Sequence, residues 1–147
     1  MAKTTTQNII DKTQELFDKL PALPKEARDV IAKITPWIAL IFGILGVLGG
    51  IAGLGLLTVF SPFAIMGGAG RALGGGVLAA ILTIVSSGLL LAAFPGTKKY
   101  KISGWNFLFW SEAVALLSAI LAPLDLGGIV FTLVGFYLIF QIKSHYK

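Results

Sequence analysis

Apolar and polar positions alternate in two regimes along the chain. In the first, Ile9, Ile10, Thr13, Leu16, Phe17 and Leu20 recur at helical spacing, while Lys3, Lys12, Lys19, Asp11, Glu15 and Asp18 take the remaining faces. That pattern predicts an amphipathic helix with one apolar stripe, capped by Thr4, Thr5 or Thr6. Leu20-Pro21-Ala22-Leu23-Pro24 breaks it. A second short helix is expected with Pro24 in its first turn and Ala27, Val30, Ile31 and Ile34 on one face. Together residues 1–35 form a helical arm. Two placements fit it: cytosolic, packed on protein, or lying in the membrane interface.

In the second regime the apolar runs are long and nearly unbroken. They predict spans over about 36–60, 72–94, 105–122 and 126–142, each close to the roughly 20 residues a helix needs to cross a bilayer. Trp37 opens span one as an interfacial anchor. Ser61 to Arg71 reads as a Gly-rich connection too broken for a helix, and Pro95-Gly96 as the end of span two. Thr97 to Lys101 is a basic loop. Pro123-Leu124-Asp125 is a tight turn in which Asp125 can cap span four. The alternative is three spans with one re-entrant hairpin. The fold expected is all-α: an arm (1–35), then a compact bundle of four transmembrane helices (36–147).

Composition supports this. Charged residues are 13% of the chain, against about 25% in a soluble domain, and mean hydropathy is +0.86. From Thr35 to Phe94 the one ionisable side chain is Arg71. The first apolar run is too long for a signal-peptide core, so an uncleaved first span is expected. The net charge of +5 comes from short segments flanking the apolar runs. Anionic lipid headgroups therefore fit as partners better than nucleic acid. Lys and Arg concentrate in the arm, the 97–101 loop and the tail, which places both termini in the cytoplasm of a multi-pass cell-membrane protein. There is no cysteine and one histidine, so no metal or cofactor is expected.

Small residues recur with a mean period near 3.5, the seam of a left-handed helix pair. They are Gly43, Gly46, Gly50 and Gly53 in span one, and Gly76, Ala80, Thr83 and Ser87 in span two. Span three contributes Ser111, Ala115, Ser118 and Ala122, and span four Gly128, Thr132 and Gly135. Such seams let backbones approach closely, in a solvent that provides little other drive for association.

Glu112 is the one carboxylate well inside a span, and an intramembrane acid marks a proton or cation site by default. The plainer alternative is a buried glutamate hydrogen-bonded to Ser86, Ser87 or Tyr137, or neutralised by Lys101. Lys98, Lys99, Lys101 and Trp105 form a basic and aromatic belt suited to lipid headgroups. The glycines around Arg71 lack the Lys-Ser/Thr and the preceding strand of a nucleotide loop. No catalytic set is present. The expected function is a non-enzymatic structural or accessory membrane protein that assembles with itself or with a partner subunit. The alternative is a small transporter or channel subunit using Glu112.

Overall fold

The computed structural model describes residues 4–68, 70–121 and 126–147, with backbone alone for 70–73. The turn at Pro123–Asp125 and the Arg71 side chain lie outside the described residues. Among the described residues the fold is all-helical: α1 (Thr5–Phe17), α2 (Lys25–Met66), α3 (Gly70–Lys98), α4 (Ile102–Leu121) and α5 (Leu126–Ile142), closed by a 3-10 turn at Lys143–His145. Four of these helices are long and apolar enough to cross a membrane. They pack together as a bundle preceded by the short α1, the architecture of a multi-pass integral membrane protein.

Thr4 caps α1, its Oγ1 accepting from the Gln7 amide at 3.4 Å. Part of the apolar stripe lies on protein, through Ile10 and Phe17, while Ile9, Leu16 and Leu20 stay exposed. Ile10 is 6% exposed, and the Phe17 ring stacks on Phe136 and Phe140 at 6.0 and 5.5 Å. The Lys143 ammonium donates to Gln14 Oε1 at 2.5 Å, and Tyr137 Oη donates to the Pro21 carbonyl at 2.6 Å. The arm is thereby fastened to the end of α5.

Three expected helix ends are corrected. The short helix after Pro24 and span one are a single helix of 42 residues that runs through Pro36 and Pro62. Proline removes an amide and orphans the carbonyl four residues back, a fault that membrane helices repair with nearby hydroxyls. At Pro62 the repair is visible: Ser61 Oγ donates to the Thr58 carbonyl at 2.9 Å. The supposed 61–71 connection therefore shrinks to a turn after Met66, where Gly68 adopts a φ of +78° that suits glycine. Pro95-Gly96 does not end the second span either, because α3 continues to Lys98. Gly96 is a contact point instead. A Cβ there would lie 2.6 Å from the Gly104 Cα, so the last turn of α3 and the first of α4 meet backbone to backbone.

The seam glycines of α2 face α3. A Cβ on Gly43 would meet Leu91 at 2.7 Å, one on Gly46 would collide with the Ser87 hydroxyl, and one on Gly50 would meet Ile84 Cγ1 at 2.5 Å and the Ala80 carbonyl at 3.3 Å. Gly53 departs from the expected seam, with nothing within 4 Å of an added Cβ. Gly76 faces Leu57. Between α3 and α4, Ser118 Oγ donates to the Ala79 carbonyl at 2.9 Å and lies 3.3 Å from Thr83 Oγ1. From α2 onward each helix packs on the next in sequence, while α2 and α5 barely touch. That leaves an opening between the first and last spans.

Gly50→Leu should lower the thermal stability of the purified chain in detergent by about 1–3 kcal/mol, because β-branched Ile84 and a backbone carbonyl have little room to yield. Gly49→Leu, one residue away with open space around it, should keep or raise stability through helix propensity. Equal losses in both variants would mean that the α2–α3 seam is misplaced.

Candidate functional site: a cleft around Glu112

The opening between α2 and α5 leads into a cavity of about 240 Å3. Helical spacing aims one stripe of each helix at it. On α4 the stripe is Leu108, Ser111, Glu112 and Ala115, and on α5 it includes Thr132, Gly135 and Ile139. Thr35, Ala39 and Phe42 come from α2, and Ser86 and Leu90 from α3. The mouth is marked by exposed lining residues on α2 and α5: Phe42 is 50% and Phe131 67% exposed. Their ring centroids stand 6.3 Å apart across the gap.

Glu112 sits at the midpoint of α4, about 15 Å along the axis from its start. Its carboxylate lies against the α5 backbone at Gly135, where an added Cβ would fall 2.6 Å from Oε2. The glycine expected in a packing seam is thus the space that the carboxylate occupies. Among the described residues, no hydrogen bond or ion pair reaches that carboxylate. Lys101 is exposed and about 16 Å away along the helix axis.

The hydroxyls around the cavity are turned to their own helices. Ser86 donates to the Thr83 carbonyl at 3.0 Å, Ser111 to Leu108 at 2.8 Å, Thr35 to Ile31 at 2.7 Å and Thr132 to Gly128 at 2.8 Å. Each keeps lone pairs but has its one proton engaged. The cleft is therefore rich in acceptors and poor in donors. What it can hold is a group that brings protons: an N–H, an O–H or a cation.

Of the polar partners expected for Glu112, only Ser86 shares its cavity. Ser87 points to α2, donating to the Thr83 carbonyl at 2.7 Å beside Gly46. Tyr137 is held by Pro21 on another face of α5. The expected headgroup belt is also rearranged. Lys99 and Lys101 are exposed, and the Lys98 ammonium stands 5.4 Å over the Trp37 ring. Trp105, however, is 0% exposed and donates its Nε1 to the Ile139 carbonyl at 2.8 Å. It belongs to an aromatic core with Phe109, Phe136 and Phe140, so it offers nothing to lipid.

Sequence reasoning missed the polar groups that join the tail to the arm and to the turn between α3 and α4. His145 Nε2 lies 2.7 Å from an Asp29 carboxylate oxygen, and the backbones of Tyr100 and Lys147 meet at 3.0 Å. These pairs are more than 40 residues apart in sequence, and no periodicity reports such a contact. Among the described residues, no group of three or more His, Cys, Asp or Glu side chains is placed to hold a metal ion. No protein-family model matches the chain, no curated protein matches it and no solved structure matches it.

Proposed function

We propose that the chain is a non-enzymatic, structural or accessory subunit of a membrane assembly, and that it engages a transmembrane segment of a second copy or of a partner protein at the Glu112 cleft. The observation that carries this reading is the missing donor. A polar group left unsatisfied in hydrocarbon costs several kcal/mol, and the chain's own hydroxyls are engaged elsewhere. The mouth between α2 and α5 opens sideways, toward neighbouring helices. Polar side chains that hydrogen-bond across helices are a recurrent means of association in membranes.

A second reading is favoured by one feature. Glu112 borders a cavity and not a closed seam, as a small transporter or channel subunit would require of a carboxylate on an ion path. One substitution separates the two. Glu112→Gln retains an acceptor, so an assembly measured as the mass of the detergent-extracted complex should persist, while Glu112→Leu should weaken it by roughly five- to thirtyfold, for an interhelical hydrogen bond of about 1–2 kcal/mol. A wild-type chain that extracts as a monomer with no co-purifying protein would end the assembly reading. Proton or cation flux in proteoliposomes that disappears in Glu112→Gln would establish the transport reading.

The membrane orientation is part of the same proposal. Both termini and the Lys98–Lys101 turn face the cytoplasm, supported by the concentration of Lys and Arg at that end. The turn after Met66, which is 88% exposed, then faces outward. In intact cells an impermeant thiol reagent should label Met66→Cys and leave Lys99→Cys unlabelled. The reverse pattern would invert the topology.

A further inference from the structure

A second cavity, of about 460 Å3, lies where α5 ends, between α1, the start of α2 and the C-terminal turn. Arg28, Lys143, Tyr146, Ser144, Gln14 and Gln141 are among its lining residues, none of which borders the Glu112 cleft. Its hydrogen-bonding character is the opposite of the cleft's. Both amide oxygens are occupied: Gln14 Oε1 accepts from the Lys143 ammonium at 2.5 Å, and Gln141 Oε1 from the Leu23 amide at 3.1 Å. What remains on those two residues is their amide protons. Among the described residues, Arg28 Nε and Tyr146 Oη are buried with no hydrogen-bond partner. An orphaned buried donor is uncommon, because it forfeits the hydration that it had in water. Burial, reinforced by Tyr100, pushes the Tyr146 pKa up to about 12, so its hydroxyl keeps its proton. The one acid in the lining, Asp18, is exposed and free to turn to solvent.

From this surplus of donors around two fixed positive charges, we infer that the cavity binds a phosphate group, held by the Arg28 guanidinium, the Lys143 ammonium and the Tyr146 hydroxyl. Arginine and lysine both suit phosphate oxygens, arginine through its planar fork and lysine as a point charge. The phosphate belongs either to an anionic lipid headgroup or to a free phosphate compound. The cavity lies at the polar end of a membrane span, and apolar Leu20 and Phe140 also line it. Both features favour the headgroup, with its acyl chains running along the bundle. The inference goes beyond the assembly reading and stands whether or not the cleft binds a partner.

The test uses the full chain, purified and delipidated in a nonionic detergent. Its thermal midpoint is followed while short-chain phosphatidylglycerol, phosphatidylcholine of the same chain length, or inorganic phosphate is added. A saturable rise with phosphatidylglycerol alone assigns a lipid headgroup, and a rise with inorganic phosphate assigns a free phosphate. Half-saturation should shift about tenfold higher in Arg28→Ala and in Tyr146→Phe, the loss expected for a hydrogen bond to a charged group. Tyr146→Phe removes an oxygen that has no partner among the described residues, so its midpoint without probe should match wild type. No saturable rise with either anionic probe, an equal rise with phosphatidylcholine, or unchanged half-saturation in both variants would overturn the inference.

Discussion

In hydrocarbon there is no water to complete an unfinished hydrogen bond, so every polar group in a span must find its partner inside the protein. This constraint explains the arrangement of the bundle's hydroxyls. Thr35, Thr83, Ser86, Ser87, Ser111 and Thr132 each donate to a carbonyl three or four residues back on their own helix. Ser61 does the same for the carbonyl orphaned by Pro62. Ser118 is the exception that links two helices, donating to Ala79 on α3. Against this background of local closure, the unpaired Glu112 carboxylate stands out. Hydroxyls elsewhere in the spans complete the helices, whereas Glu112 leaves a requirement unmet.

The same constraint explains which features were readable from residues alone. The spans were readable because length, apolarity and charge placement agree, and the four apolar helices follow the four predicted runs. Their ends were not. Span one was begun at residue 36, Ser61 to Arg71 was read as too broken for a helix and Pro95-Gly96 as an end, as the rules of soluble helices would have it. In a bilayer, ending a helix exposes several backbone groups where continuing past proline exposes one, so the helix continues. The α2–α3 seam was readable through Gly43, Gly46 and Gly50, whose spacing matches the pairing. Gly53 has the right spacing but meets open space, although the pairing continues beyond it at Leu57 and Gly76. Spacing reports which face a residue occupies, not what that face meets.

The candidate site was half readable for a related reason. Glu112 was conspicuous as a lone acid, but Gly135, which makes room for its carboxylate, was read as part of a packing seam. The error lay in rotation. Depth gives the layer but not the direction in which a side chain points, so Ser87 and Tyr137 were grouped with Glu112 although they serve other faces. Trp105 failed in the opposite sense. An aromatic at a span end is usually a lipid anchor, but here Phe17 of the arm and Phe140 of α5 build a core around that position. The arm itself thus decides what the belt residues do.

Helix length connects these observations. By rise per residue α2 is about 63 Å long and α3 about 43 Å, against about 30 Å for α4 and 25 Å for α5. The first hairpin outreaches the second, so the two cannot pair along their full lengths. At the end near Met66, α4 finishes near Gly75, and α2 and α3 run on past it. At the end that carries both termini α1 compensates, laying Ile10 and Phe17 over the ends of α4 and α5. Midway between, α2 and α5 have no seam of small residues to draw them together, and bulky Phe42 and Phe131 hold the gap. The same short α5 borders an acceptor-rich cavity at its middle and a donor-rich cavity at its end. Each cavity persists because the helix that would have filled it is either held at a distance, as α2 is, or too short to reach it.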